Sequence, residues 1–252
     1  MEYFRYLPDS EISFDSIDGF LKKYPQELCC EITNKCNFTC PICIADSQVE
    51  SNTQMPIDLY AKVLKDRPRT VKRITLTGGE PTLNPCLPEM LARAVGTVKG
   101  TVLSTNGFLP NKLEEALRNN SNIIVNISLH GYKDVHDNFV GRKYAYNKAL
   151  ESIQVANSYT AAIHIHTTIV PETVKGLSKL CAVLCELPIT EQRLNIVKPY
   201  GRQSVAAVPY GELRQFLVNL KVPYKISIKK RNQPFLFVSC EGKKEIRNVR
   251  RC

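Results

Sequence analysis

Stretches of β-strand character alternate with stretches of helix character along most of this 252-residue chain. That alternation restricts the fold more than any other feature. Hydrophobic alternation and flanking turn residues mark strands at LCCEIT (28–33), RITLTG (73–78), TVLSTN (101–106), IIVNISLH (123–130), AAIHIHTTIV (161–170) and RLNIVKPY (193–200). Helix patterns fall between them, near 56–65, 87–96, 111–119, 144–158 and 173–186, with Pro56, Asn111 and Thr173 at the starts. Strand alternating with helix predicts an α/β fold, a parallel sheet joined by right-handed crossovers. Six such units predict a partial (β/α)6, TIM-like barrel that lacks the last two units of eight. A doubly wound sheet is the alternative. After residue 208 the pattern changes to a short helix (about 209–220) and two strands, YKISIKK and FLFVSC. The expected organisation is therefore an N-terminal extension (1–27), a barrel core (28–205) and a short C-terminal extension (206–252) that carries Cys240 and Cys252.

The strands also differ between their two faces, because side chains alternate along a strand. Ile123, Val125, Ile127 and Leu129 share one face of the fourth strand, and Asn126, Ser128 and His130 share the other with Ile124. In the fifth, Ile163, Ile165 and Ile169 oppose His164, His166 and Thr168. In the first, Leu28, Cys30 and Ile32 oppose Cys29, Glu31 and Thr33. The apolar faces should pack beneath the helices and the polar faces should point into the barrel. A barrel interior is ordinarily filled with Val, Ile and Leu. Polar interior side chains imply a cavity holding ligand or water, or groups that satisfy one another in a packed core.

Composition narrows the compartment and the partners. No run of about 18 apolar residues is present, which excludes a membrane-spanning helix. The opening segment MEYFRYLPDSEISFDSIDGF is acidic and has no apolar signal core, so a cytoplasmic location is expected. Ten cysteines without a secretory signal favour metal binding over a disulfide framework. The formal net charge is +10, concentrated in KDRPRTVKR (65–73), KKR (229–231) and the tail CEGKKEIRNVRRC (240–252). That balance suits an anionic substrate or nucleic acid. No nucleic-acid recognition motif accompanies it, so nucleic acid is the less favoured partner, and a solvated basic surface is the plain alternative.

The densest chemistry lies directly after the first strand, in Cys36-Asn-Phe-Thr-Cys40-Pro-Ile-Cys43. Three thiolates on one loop can ligate three irons of a 4Fe–4S cluster, which usually takes four cysteines, so one iron would stay open. A zinc site borrowing a fourth ligand, or three buried thiols, are the alternatives, although no second Cys/His pair follows at structural-zinc spacing. LTGGEPTL (76–83) ends the second strand, LSTNG (103–107) the third, SLHG (128–131) the fourth, HTTIV (166–170) the fifth and VKPYGR (197–202) the sixth. All therefore gather at the C-terminal ends of parallel strands, where such folds build their sites.

This set resembles the signature of the radical SAM superfamily over about residues 28–205. Within it the set is similar to the branch that matures the molybdenum cofactor, pyrroloquinoline quinone and peptides. The resemblance implies a radical SAM partial barrel with Cys36, Cys40 and Cys43 as ligands of a 4Fe–4S cluster. The open iron would bind S-adenosylmethionine. One electron would then cleave the sulfonium to a 5′-deoxyadenosyl radical, which takes hydrogen from a small-molecule or peptide substrate in a biosynthetic or maturation reaction. It implies cofactor contacts from Ile42, from Gly78, Gly79, Glu80 and Pro81, and from Ser104, Asn106, Ser128, Thr168 and Arg202. Ile42 departs from the aromatic or bulky residue usual before the last cysteine. A one-electron donor such as flavodoxin or ferredoxin is the implied partner. Glu31, His130, His164 and His166 face the inferred cavity as acid–base candidates, or are satisfied barrel residues. Many members of that branch bind extra clusters near the C-terminus. Here Cys240 with Cys252, or Cys181 with Cys185, are the residues available for a second cluster. The plainer expectation for Cys181 and Cys185 is a place in the core, and Cys86 is expected to be structural. The alternatives within and outside this chemistry are an RNA-modifying radical enzyme, an activase that installs a glycyl radical in a partner, and a non-catalytic Fe–S or zinc protein.

Overall fold

The computed structural model describes residues 4–6, 26–160, 162–196, 221–228, 235–241 and 244–247. The strands are β1 (Phe4–Tyr6), β2 (Glu27–Glu31), β3 (Arg73–Thr77), β4 (Gly100–Thr105), β5 (Ile123–Ser128), β6 (Ile163–Ile169), β7 (Glu191–Ile196), β8 (Lys225–Ile228), β9 (Phe235–Val238) and β10 (Lys244–Arg247). They form one open sheet in the order β1-β10-β9-β2-β3-β4-β5-β6-β7-β8. From β2 to β8 every neighbouring pair is parallel. The fold is α/β, and the sheet does not close on itself.

The helices that connect these strands are α1 (Ile57–Lys65), α2 (Leu87–Val95), α3 (Pro110–Leu117), α4 (Asp134–Val140), α5 (Ala145–Asn157), α6 (Pro171–Val174) and α7 (Leu177–Leu184). Prolines open α3 and α6, where a missing N–H is harmless. One apolar cluster runs under the sheet. Leu28, Cys30, Ile74, Leu76, Leu103, Val125, Ile127, Ile163 and Ile165 from the strands meet Tyr60, Met90, Leu91, Leu113, Ile153 and Leu180 from the helices. Full burial of each such aliphatic side chain contributes about 1.5–3 kcal/mol. This face is the apolar one expected from the alternation, and it places Asn126, Ser128, His164 and His166 on the other.

Several elements differ from the expectation. The helix read over 173–186 is two helices, α6 and α7, interrupted at Lys175 and Gly176. Helix α4 was not legible, since DVHDNFV spans barely two turns with no clear apolar stripe. The two strands placed in the 206–252 extension are β8 and β9, with a third, β10, beyond them. They join the main sheet: β8 continues it past β7, and β9 extends it past β2. The helix expected at about 209–220, Arg202 and Cys252 lie outside the described residues. No helix among the described residues is long and apolar enough to cross a membrane.

Candidate active site

The cysteine loop leaves β2 at the C-terminal rim of the sheet and is held there by its own backbone. Asn34 N donates to Thr53 O at 3.0 Å, Gln48 N to Asn34 O at 3.1 Å and Cys36 N to Gln48 O at 3.1 Å. Thr39 N donates to Val140 O at 3.0 Å and ties the loop to the end of α4. Phe38, between the first two cysteines, is the anchor. It is buried against Phe139, Val140 and Val170 and meets Phe108 edge-on, with ring centroids 5.7 Å apart. Ile42 and the side chains of Cys36 and Cys40 pack on the same cluster. The one aromatic of the Cys36–Cys43 segment was the signal for this anchor, and it was not used.

The turn that ends β3 lies directly on this loop. Gly79 N donates to Thr33 O and Glu80 N to Lys35 O, both at 2.8 Å. A Cβ on Gly79 would stand 2.1 Å from Lys35 O, and one on Gly78 would stand 2.3 Å from Thr33 O. Gly78 also has φ +146°, which L side chains rarely adopt. The two glycines are thus required by the close approach of two backbones.

Glu80 is fully buried and acts as the knot of the rim. Its Oε1 accepts from Thr82 N at 3.0 Å, Thr82 Oγ1 at 2.7 Å and Thr105 Oγ1 at 2.6 Å. Its Oε2 accepts from Asn106 N at 2.6 Å. Burial pushes the carboxyl up from its usual range, against the pull of these donors. Thr82 and Thr105 were not singled out in the sequence, although each adjoins a motif residue. Asn106 Nδ2 donates to Asn37 Oδ1 at 2.7 Å and lies 4.0 Å from Cys36 Sγ. Ser47 N donates to Cys43 Sγ at 3.4 Å.

None of the nine described cysteines is in a disulfide. Among the described residues no three His, Cys, Asp or Glu side chains gather as ligands of a single metal ion. A four-iron cluster takes its thiolates at separate irons. Burial holds the Cys36 thiol up to about 12, so the thiolate forms when a metal draws the proton off. Partly exposed sulfurs on one loop, with N–H donors directed at two of them, fit such a cluster.

The other candidate residues divide between the rim and the body of the sheet. His130, Thr168 and Asn106 lie at the rim. His130 Nδ1 accepts from Thr168 N at 3.1 Å, and His136 Nδ1 accepts from His130 N at 3.0 Å. Burial, reinforced by His136, lowers His130 to about 3, and burial lowers His136 to about 4. Both are neutral at pH 7, and both fasten backbone. Thr173 Oγ1 accepts from Val170 N at 3.0 Å, which closes the β6 end onto α6. Ser104 and Ser128 sit one step inside the rim. Glu31 is buried at the end of β2, close to Cys240, which is also buried. His164 is four residues short of Thr168, about 13 Å down the strand from the rim. It sits beside Glu191 at the start of β7, with Nε2 3.8 Å from Oε2. It is therefore not grouped with the cysteine loop. Cys181 Sγ donates to Gln192 Oε1 at 3.3 Å, and Cys185 Sγ to Cys181 O at 3.2 Å, as core thiols do.

The comparisons with known proteins agree with this geometry. Residues 30–182 match the model of the Radical SAM superfamily. The chain belongs to that superfamily. It is 31% identical over 145 residues to GTP 3′,8-cyclase of Helicobacter pylori (strain ATCC 700392 / 26695), covering 55% of this chain and 45% of that one. It is 26% identical to the antilisterial bacteriocin subtilosin biosynthesis protein AlbA of Bacillus subtilis (strain 168), over 68% of this chain and 39% of that one. The chain thus spans about half the length, or less, of these curated relatives. Among solved structures, Streptococcus suis SuiB bound to its precursor peptide SuiA superposes with a TM-score of 0.74 at 13% identity, covering 88% of this chain and 59% of that one. That likeness carries the fold.

Proposed function

We propose that this chain is a radical SAM enzyme acting on a small-molecule or peptide substrate, with Cys36, Cys40 and Cys43 holding a 4Fe–4S cluster. The observation that carries this is the clamp of the cysteine loop by the Gly78–Pro81 turn, two backbones in contact with Cys36 directly beside them on the loop that carries all three thiols. The family implies the cluster and S-adenosylmethionine, which together supply one-electron cleavage of a sulfonium and a carbon radical able to take hydrogen from an unactivated C–H bond.

The chain's own residues hold and shield. Phe38 and Phe108 wall the loop with apolar surface, which keeps water from reactive species. Asn106 and Ser47 direct N–H groups toward Cys36 and Cys43, and donors to cluster sulfurs adjust the reduction potential. The Glu80 side chain is fully engaged within the protein. The methionine end of S-adenosylmethionine is accordingly assigned to the Gly78–Pro81 turn, where Gly78 and Gly79 are half-buried, with Ser104, Asn106, Ser128 and Thr168 on the adjoining rim and Arg202 beyond the described residues. An electron carrier such as flavodoxin or ferredoxin supplies the electron. GTP 3′,8-cyclase acts on a nucleotide, whereas SuiB was solved with a peptide, so both substrate classes stay in the proposal.

The test is iron and sulfide per chain after anaerobic reconstitution, with EPR of the reduced protein before and after S-adenosylmethionine. About four irons and a signal shifted by S-adenosylmethionine are expected. Cys40→Ser should lose the cluster signal. About eight irons would add a second cluster near Cys240. Zinc, or a signal indifferent to S-adenosylmethionine, would sink the proposal.

A further inference from the structure

Below the rim, the face of the sheet away from the helices carries a polar row. Ser104, Asn126, His164, Glu191 and Lys225 stand in register across β4, β5, β6, β7 and β8. One step nearer the rim lies the row Ser128, His166, Arg193 and Ser227. Glu191 is the charged end of the first row. Its carboxylate accepts from Arg193 Nη2 at 3.0 Å and from Ser227 Oγ, with Lys225 Nζ 3.7 Å away. Burial would raise it, but the bonds from Arg193 and Ser227 outweigh that and hold it at about 2. It is a satisfied anion.

The middle of the row is not satisfied. Asn126 Nδ2 donates to Ser104 Oγ at 3.3 Å, but Asn126 Oδ1 is buried and has no hydrogen-bond partner. His164 Nδ1 is buried and has none either. Burial, followed by Arg193, lowers His164 to about 4, so the ring is neutral at pH 7. The Glu191 carboxylate lies 3.8 Å from Nε2, too long for a hydrogen bond but close enough for its charge to favour the ring proton on that nitrogen, and Nδ1 then presents a lone pair. Two buried acceptors thus lie on paired residues of neighbouring strands, and each destabilises the fold while unmet.

Neighbouring strands are about 4.8 Å apart. The two N–H bonds of a planar NH2 group diverge to acceptors about 5 Å apart at normal hydrogen-bond lengths. We propose that Asn126 Oδ1 and His164 Nδ1 form a subsite for an uncharged planar NH2 group of the substrate, as a primary amide or an aromatic amine carries. A carboxylate or phosphate at this position would meet two lone pairs and the Glu191 carboxylate, whose own cations Arg193 and Lys225 are already paired with it. The proposal rests on the reading that substrate binds on this face beneath the rim.

The chain has four histidines, so 15N-histidine NMR of the cluster-loaded full chain isolates His164 readily. The expected spectrum has an unprotonated His164 Nδ1 that shifts on titration with acetamide or aniline. N,N-dimethylacetamide and acetate, which offer no NH2, leave it in place. Whichever of acetamide and aniline saturates at lower concentration separates the amide source from the aromatic one. Asn126→Leu weakens the half-saturation about tenfold and leaves Tm about unchanged, because losing the long bond to Ser104 Oγ is offset by removing an unmet buried acceptor. Equal shifts with N,N-dimethylacetamide, no shift with acetamide, or a Tm several degrees lower in Asn126→Leu would each overturn the subsite. The comparison of probes is made on the unaltered chain and needs no variant. An acetamide response in a protein whose EPR ignores S-adenosylmethionine would defeat the radical reading and leave the subsite standing.

Discussion

The rim and the body of the polar face are built on opposite principles. At the rim, every oxygen of Glu80 is engaged, and Thr82, Thr105, Asn106 and the Thr33–Lys35 backbone close on one another. Down β5 and β6 from the rim residues His130 and Thr168, Asn126 and His164 keep acceptors that nothing in the described structure meets. A fully satisfied buried network rigidifies, whereas a partly satisfied one carries unspent binding capacity. On the function proposed above, the difference would separate a part of the molecule that holds a reactive group in a fixed place from a part that receives substrate.

Substitution at the rim should therefore be the more damaging. Gly79→Ala has the largest expected effect, because its Cβ would meet Lys35 O at 2.1 Å and neither backbone can yield without moving the cysteine loop. A loss of about 3 kcal/mol or more is expected, read as a lower urea midpoint together with substoichiometric iron. A Gly79→Ala protein with wild-type iron and stability would show that the loop is not clamped. Glu80→Gln comes next. One carboxylate oxygen becomes an NH2 facing donors, so at least one buried N–H or O–H loses its acceptor, at about 1–3 kcal/mol each. Its Tm should fall, while that of Asn126→Leu holds. Equal behaviour of the two variants would erase the distinction between rim and interior row.

The sequence carried the rim better than the row. Cys36, Cys40, Cys43 and Gly78–Pro81 are local words, each motif contiguous, and strand polarity alone sends them to one end of a parallel sheet. The alternation in 123–130 and 161–170 likewise assigned faces, because burial on one side leaves a period of two. Pairings between strands were not legible. That His164 would oppose Glu191 depends on register, and the seven-residue β6 places His164 at the end away from the HTTIV motif at the rim. The partners of Glu80 within the protein were likewise not legible, because its neighbours were known only in one dimension. Thr105 and Asn106, some 25 residues on, take up that carboxylate. The short strands β1 and β10 gave no signal, since β10 gains its place by pairing with β9 and β1 by pairing with β10, rather than by pattern.

The smallest effect per residue concerns acid. His130, His136 and His164 are held at about 3, 4 and 4 by burial, well below the usual value near 6.5 for an unfolded chain. Above about pH 6.5 neither state takes the proton, and these groups add no pH dependence. Between about pH 6 and pH 4 the unfolded chain binds protons that the folded chain refuses, so stability falls as pH falls. Each histidine contributes up to about 1.4 kcal/mol per pH unit over that window. Urea midpoints should hold level from pH 7.5 to about 6.5 and decline from there to pH 5. Two of the three groups are backbone fasteners of the rim, and one belongs to the polar row. His164→Leu should then remove about a third of the slope without touching iron content. A midpoint flat across this range would mean that the histidines reach solvent in the folded protein, and the contrast between a closed rim and a ligand-ready row would lose its basis.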